Sequence, residues 1–205
     1  MPTFDAKLVI FDLDGTLLDS SHYAAKAIHQ AFGNLIVDHP ELSVPSVEAI
    51  TGQIGKPMQE FYRGLLPPAK QGLWSELHQH AAAIEKSFLK GNQDFLFRGT
   101  RECLDALKAK RKVLAIASNC SWDYINAIAE AYQFKRWFDE LQCIGEGRDT
   151  TKAQLVEDLV EKFAPDGCAI MIGDRIHDQE AARVSGIPFV GCRYGFAAAN
   201  EWEGA

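Results

Sequence analysis

Several short segments carry side chains that could do chemistry together. The first is Asp12-Leu13-Asp14-Gly15-Thr16, directly after the apolar run Leu8-Val9-Ile10-Phe11. On an extended chain, residues i and i+2 point to the same face, so both carboxylates are expected to project together from the strand's end. One could then act as a nucleophile and the other as an acid and base. Gly15 would let the chain turn away sharply. Two other readings of the motif stand beside this one. It could be a loop in which Asp and Gly simply favour a turn. A calcium loop of the EF-hand type fails on its own terms: positions five, six and twelve counted from Asp12 are Thr16, Leu17 and Tyr23, where an acid, Gly and Glu are needed.

A second acidic constellation follows another apolar run. Ala169-Ile170-Met171-Ile172-Gly173 ends in Asp174-Arg175-Ile176-His177-Asp178, with two carboxylates one helical turn apart. Taken singly, Asp174 could be a helix cap. If both loops meet, four carboxylates converge, and at ~5 Å and an effective dielectric of ~20 each like-charge pair costs about 3 kcal/mol. Such a cluster is tolerated only with a cation present. Oxygen donors without a His or Cys cluster suit Mg²⁺, which binds one or two carboxylates together with substrate phosphate.

Two further segments supply what a phosphate needs. Ser118 and Asn119 follow the run Val113 to Ala117. Their hydroxyl and amide could bind phosphoryl oxygens, or could equally begin a helix. Thr151-Lys152-Ala153-Gln154 fits a capping box, which puts Lys152 in a first helical turn. An ammonium at that positive end is unfavourable unless an anion lies nearby. Taken alone, the same segment reads rather as a solvated lysine.

The elements that must position these groups follow from the hydrophobic pattern. Short runs at Leu8 to Phe11, Val113 to Ala117, Leu141 to Ile144, Ala169 to Ile172 and Pro188 to Val190 are continuously apolar rather than alternating. That pattern predicts strands buried on both faces, as in a parallel sheet covered by helices. Helices are expected over 101–110 (Leu104, Leu107, behind a Thr100 cap), 122–132 (Ile125, Ile128, Tyr132), 152–162 (Leu155, Leu159) and 176–185. The last ends at Gly186, with Pro188 beyond as a stop signal. The alternation predicts an α/β fold with a doubly wound, Rossmann-like parallel sheet, whose ligand crevice lies at the carboxyl ends of the strands.

One connection is too long. Between Phe11 and Val113 a single crossover helix needs far fewer residues than are present. Leu73, Leu77, Ala81, Ile84 and Phe88 recur at helical steps there, and Gly64, Pro67-Pro68 and Gly91-Asn92 mark breaks. The expectation is an α-helical cap over 16–95 inserted into an α/β core of 1–15 and 96–205, with the two connections as a hinge. Helices packed immovably on the sheet are the alternative.

Composition narrows the field. The 205 residues are 47% apolar and 24% charged, which excludes a disordered chain. A net charge of −7, from 21 basic and 28 acidic residues, argues against a nucleic-acid partner, which needs clustered positive charge. Cys103, Cys120, Cys143, Cys168 and Cys192 are scattered and form no CxxC pair, so reduced and mostly buried thiols are expected rather than a disulfide or zinc framework. No apolar stretch is long enough for a signal peptide or a membrane helix, so a cytoplasmic protein with no membrane partner is expected.

Taken in order, Asp12-Leu13-Asp14-Gly15-Thr16, Ser118-Asn119, Lys152 and Gly173-Asp174 with Asp178 resemble the motifs of the haloacid-dehalogenase-like (HAD) hydrolases. The chain looks most like the phosphoglycolate-phosphatase/β-phosphoglucomutase branch with a helical cap. Gly173 to Phe196, including Ala181-Ala182, Gly186 and Gly195-Phe196, is also similar, and the likeness spans nearly the whole chain. It implies an Mg²⁺-dependent phosphatase of small phosphorylated metabolites. Asp12 would attack phosphorus to form an aspartyl-phosphate, and Asp14 would protonate the leaving oxygen and then activate water. Asp12, the main-chain carbonyl of Asp14 and Asp174 would hold Mg²⁺, with Asp178 orienting a ligand water. Ser118 and Asn119 would bind the phosphoryl group, and Lys152 would offset charge.

The resemblance also marks departures. Ala153 stands where many relatives have proline after the lysine, with Arg148 as a fallback for that role. Relatives often continue into another strand and a terminal helix, whereas Glu201-Trp202-Glu203-Gly204-Ala205 ends this sequence, so a shorter sheet edge is expected. In the cap, Thr51-Gly52-Gln53-Ile54-Gly55-Lys56-Pro57 is too short for a P-loop and lacks its hydroxyl. Lys56 or Arg63 could meet a second anionic group of the substrate, or be a solvated cation. A phosphosugar mutase of the β-phosphoglucomutase type is the alternative enzyme. A dehalogenase would leave Asp14 and the metal carboxylates without a purpose, and a metal-binding module without turnover has no visible support. A monomer or a homodimer is expected.

Overall fold

A computed structural model describes residues 5–91, 93–145 and 150–202. Asn92 and Arg148, singled out above, lie outside the described residues, as does the end of the chain from residue 203. Five parallel strands form one sheet: β1 (Leu8–Phe11), β2 (Val113–Ser118), β3 (Glu140–Cys143), β4 (Ala169–Gly173) and β5 (Phe189–Gly191). Their order is β3-β2-β1-β4-β5. The chain therefore leaves β1 for one side of the sheet and later crosses to the other, the doubly wound arrangement expected from the alternating runs.

The continuous apolar runs are split between two faces by the pleat. Val9, Phe11, Leu114 and Ile116 pack against α5 (Thr100–Ala109) and α6 (Trp122–Ala131) through Leu104, Ile125 and Ile128. Leu8, Ile10, Ala115, Ala117, Ala169 and Met171 pack on the opposite face against α7 (Lys152–Phe163) and α8 (Ile176–Val184). Leu8 and Ile10 have no accessible surface, and complete burial of such a side chain contributes roughly 1.5–3 kcal/mol.

Helix ends follow local chemistry. Thr151 and Gln154 close a reciprocal capping box at the start of α7. At the other end of α8, Gly186 takes φ +65°, as its position predicts. Thr100 departs from expectation: Gly99, at φ +89°, precedes the first turn of α5, and Thr100 is its first residue. Its hydroxyl instead donates to the Leu17 carbonyl at 3.4 Å, across the chain. The thiols also differ, since all five cysteines are unpaired but only Cys143 and Cys192 are buried, while Cys103 and Cys168 are exposed.

The long connection is helical. It carries α1 (Ser21–Asp38), α2 (Val47–Thr51), α3 (Met58–Gly64) and α4 (Trp74–Leu89), with a 3₁₀ turn over Pro68–Leu73. These elements share their own apolar cluster, in which Ile28, Phe32 and Leu35 of α1 meet Leu77 and Ala81 of α4. The two connections to the sheet run side by side: Asp19 N–H donates to the Phe95 carbonyl at 2.8 Å and Phe97 N–H to the Leu17 carbonyl at 3.0 Å. Among the described residues, no helix is long and apolar enough to cross a membrane.

Candidate active site

The parallel register of β1 and β4 sets Phe11 beside Ile172, so the residues that follow each strand emerge together at the sheet's carboxyl edge. Asp12 is 2% exposed and Asp174 has no exposed surface. Gly15 packs on Asp174 at φ +83°, where a Cβ would run into the Asp174 carboxyl group, so close approach requires glycine. On the neighbouring loop the capping box of α7 aims Lys152 inward, and the side chain is 5% exposed.

Lys152 Nζ donates to Asp12 Oδ1 at 2.6 Å and to Asp178 Oδ1 at 2.5 Å. The other Asp178 oxygen accepts the main-chain N–H groups of Asp174 at 3.0 Å and Arg175 at 2.8 Å. Asp178 thus ties the start of α8 to the lysine. Asp12, Asp174 and Asp178 each offer an oxygen, and these atoms lie within 4.8 Å of one another. Burial alone would lower the Lys152 pKa, but the charges of Asp12 and Asp178 lift it above the usual lysine range. Burial, opposed by the hydrogen bond from Phe196 N–H and joined by the Asp178 charge, raises Asp174 to about 7. Burial, then the Asp178 charge, also push Asp12 well above the usual carboxylate range, although Lys152 opposes them.

Three carboxylates therefore share one ammonium, and the deficit equals one divalent ion. Arg175 does not fill it, because its guanidinium Nε is matched by Glu201 Oε1 at 2.7 Å. Two buried oxygens of the cluster, Asp12 Oδ2 and Asp174 Oδ1, have no hydrogen-bond partner. Unpartnered carboxylate oxygens in a cluster of three buried acids, with no nitrogen or sulfur donor among the three, fit a hard cation such as Mg²⁺.

Asp14 is not part of this cluster, contrary to the expected convergence of four carboxylates. The extended run stops at Phe11, and the chain folds back so that Leu17 and Leu18 N–H groups both reach the Leu13 carbonyl. The alternation of strand side chains no longer applies beyond that point. The Asp14 carboxyl instead accepts the Tyr124 hydroxyl at 2.7 Å. Burial raises its pKa, against the Tyr124 hydrogen bond.

Asp12 and Asp14 open into one cavity between the sheet and the helical insertion. Ser118 and Asn119 line it from the end of β2, and Lys56, Tyr62, His78 and Glu85 from the insertion. Ser118 Oγ accepts Cys120 N–H at 3.3 Å, which leaves its own proton to donate. Asn119 Nδ2 donates to the Gly55 carbonyl at 2.8 Å, while its Oδ1 is buried without a partner. Lys56 Nζ reaches the cavity but is held by Gln53 Oε1 at 2.8 Å. Arg63 is exposed on α3 and does not line the cavity. His177, half-buried, lines a separate groove beside Lys152.

Sequence reasoning missed three features. Arg175 donates through Nη1 to the Ile54 carbonyl, and its side chain fills the space a Cβ would take at Gly55, where φ is +90°. With Asn119 it clamps the loop of the insertion onto the sheet. Tyr124 bridges Asp14 and Tyr23 through hydroxyl hydrogen bonds. Glu85 lies four residues after buried Ala81 on α4, which was the one signal that it faces inward. Burial, then the charge of Asp14, raise Glu85 to about 8.

The Glu85 shift carries a stability consequence. Its folded pKa lies above the unfolded value, so its contribution is favourable below about pH 4.5 and is lost as pH rises towards 8. Glu85→Gln is therefore expected to stabilise the protein at pH 8, by up to about 4 kcal/mol, and to change much less at pH 5, read as the difference between melting temperatures at the two pH values.

Comparison with known proteins agrees with this arrangement. Residues 6–186 match the family model of the haloacid dehalogenase-like hydrolases. The chain is 28% identical to the 5′-nucleotidase of Pseudomonas aeruginosa, over 94% of this chain and 85% of that one. It is 29% identical to the phosphoglycolate phosphatase of Photobacterium profundum, over 93% and 84% respectively. In fold it is similar to a predicted phosphatase from Clostridium acetobutylicum, with a TM-score of 0.79, 23% identity and coverage of 96% and 88%. A family match over most of the chain, on a sheet that brings the same acidic loops together, identifies the chain as a member of the haloacid dehalogenase-like hydrolases.

Proposed function

We propose that the chain is an Mg²⁺-dependent phosphatase of small phosphate monoesters that works through an aspartyl-phosphate on Asp12. The observation that carries this reading is the state of Asp12 itself. One oxygen is fixed on Lys152 at 2.6 Å and the other is buried without a partner, in a cluster that brings oxygens of Asp12, Asp174 and Asp178 within 4.8 Å of one another. Asp12 also lines the cavity shared with Asp14.

The chain's own residues divide the work. A carboxylate oxygen of Asp12 attacks phosphorus while the bond from phosphorus to the ester oxygen breaks. Asp14 gives that oxygen its proton, a role supported by its raised pKa and by the Tyr124 hydroxyl that orients it. Asp14 then takes a proton from water as the water attacks the aspartyl-phosphate, which releases inorganic phosphate and restores Asp12. The Ser118 hydroxyl and Asn119 amide bind phosphoryl oxygens, and Lys152 offsets the charge that gathers where two anions meet. Asp12 and Asp174 would hold Mg²⁺, with Asp178 and the Asp14 carbonyl beside them, and the ion would supply charge neutralisation at the phosphoryl group. The relatives named as a 5′-nucleotidase and a phosphoglycolate phosphatase support the substrate class.

Release of phosphate from p-nitrophenyl phosphate, measured with Mg²⁺ and with EDTA, tests the proposal. Activity indifferent to EDTA would refute it. An independent readout is thermal: Mg²⁺ at about a hundred times its Kd should add about 2.7 kcal/mol of stability. Asp174→Asn should abolish that gain.

A further inference from the structure

Part of the cavity wall is braced from outside the cavity. Ile54, Gly55, Lys56 and Met58 of the insertion line that wall. Asn119 Nδ2 holds their loop at the Gly55 carbonyl, 2.8 Å away, and Arg175 Nη1 holds it at the Ile54 carbonyl. Asn119 lines the cavity and has a task at the phosphoryl group. Arg175 does not line the cavity and touches no reacting group, yet it is only 7% exposed.

Arg175 is itself held from behind. Its Nε donates to Glu201 Oε1 at 2.7 Å, and the same oxygen accepts Ile176 N–H at 2.8 Å. Glu201 Oε2 accepts Ala198 N–H at 3.0 Å, which fixes the carboxylate within its own turn. That turn follows β5 and is seated on it: Trp202 meets Phe189 edge to face at 6.0 Å, and a Cβ on Gly191 would strike the Trp202 ring. The guanidinium therefore spans two acceptors, one anchored to the sheet and one on the insertion. A planar fork of N–H donors can serve both at once, whereas an ammonium on a flexible stem holds neither direction. Gly55 completes the fit, because any Cβ there would run into Arg175 Cγ.

We infer that Arg175 is a positioning residue, aimed by Glu201 of the C-terminal turn, which latches the loop Ile54–Gly55 to the sheet and so sets substrate affinity. The inference rests on the phosphatase reading and adds to it two residues that touch neither substrate nor metal. With the latch made, the wall is in place before substrate arrives. Where it is broken, the apparent affinity falls by the fraction of molecules whose wall is still in place. Turnover at saturation suffers less, since bound substrate selects the molecules with the wall closed. A competing role for Arg175, as positive charge beside Asp174, makes a different demand: lysine would serve it nearly as well.

The test measures kcat and KM for p-nitrophenyl phosphate, with Mg²⁺, in the wild type, Arg175→Lys, Glu201→Ala and the double variant. Each single variant should raise KM by about tenfold and leave kcat within about threefold. The double variant should be no worse than the weaker single one, because both substitutions break the same latch. Amide hydrogen exchange over residues 52–58, without substrate, should quicken by about tenfold in both single variants. The Mg²⁺ concentration that half-saturates the thermal shift should stay within about threefold of the wild type. An unchanged KM in either variant, a loss confined to kcat or to Mg²⁺ affinity, or wild-type exchange over 52–58 would overturn the inference and leave the phosphatase reading standing. A wild type that does not hydrolyse the ester would overturn both.

Discussion

Asp12→Asn should lower kcat by at least about 10⁴-fold while the protein stays folded, because the variant removes the attacking oxygen and almost nothing else. Asparagine has the same shape and retains a carbonyl oxygen for Lys152 Nζ, now 2.6 Å from Asp12 Oδ1. The aspartate is costly to keep: it is buried, and both burial and the Asp178 charge disfavour its ionised form. Removing that charge relieves repulsion among three carboxylates, so the melting temperature of the metal-free variant should not fall by more than a few degrees. Loss of turnover with an intact fold separates a chemical role from a structural one. Incubation with ³²P-labelled substrate and rapid quenching should trap phosphate on the wild-type chain and none on the variant. Residual activity within tenfold of the wild type would remove Asp12 from the mechanism.

The fold was legible because its signals are local. Apolar runs such as Leu8 to Phe11 and Ala169 to Ile172 read as strands buried on both faces, and they pair in parallel with Leu8 beside Ala169. The capping box at Thr151 and the left-handed Gly186 mark helix ends through residues only a few positions apart. The acidic loops were legible for the same reason, since both follow directly on such strands. What escaped was tertiary. Whether Asp14 joins Asp12 depends on where the chain turns after Phe11, and the turn takes Asp14 to Tyr124, 110 residues away in sequence. The clamp on the insertion joins Asn119 to Gly55 across 64 residues and Arg175 to Ile54 across 121. No period or spacing encodes such contacts, and Arg175 read only as the residue between two acids. Thr100 shows the same limit on a small scale: its type fits a cap, but its hydroxyl finds Leu17, 83 positions away.

Lys152 brings stability and chemistry into one side chain, so Lys152→Met should damage both. Methionine matches its length and removes the ammonium, leaving Asp12 and Asp178 buried without their shared cation. Breaking a buried ion pair by deleting one partner costs about 3–5 kcal/mol, because the remaining charge is uncompensated. In a chain of this size that corresponds to a fall in melting temperature of roughly 10 °C. The pH at which the loss is seen follows from the sign of the lysine shift. Its folded pKa is raised above the unfolded value, so its contribution is complete below about pH 10 and disappears only as pH rises through the folded value. The destabilisation should therefore already be present at pH 7. Mg²⁺ should restore part of it, since a divalent ion beside Asp12 and Asp174 supplies positive charge to the same oxygens. Turnover should not recover to the same extent. The ammonium touches Asp12, and a group that offsets charge at the transferring phosphoryl contributes about 10²–10³ in kcat. A variant that melts normally without Mg²⁺ and keeps its kcat would show that Lys152 neither supports the acidic cluster nor serves the reaction.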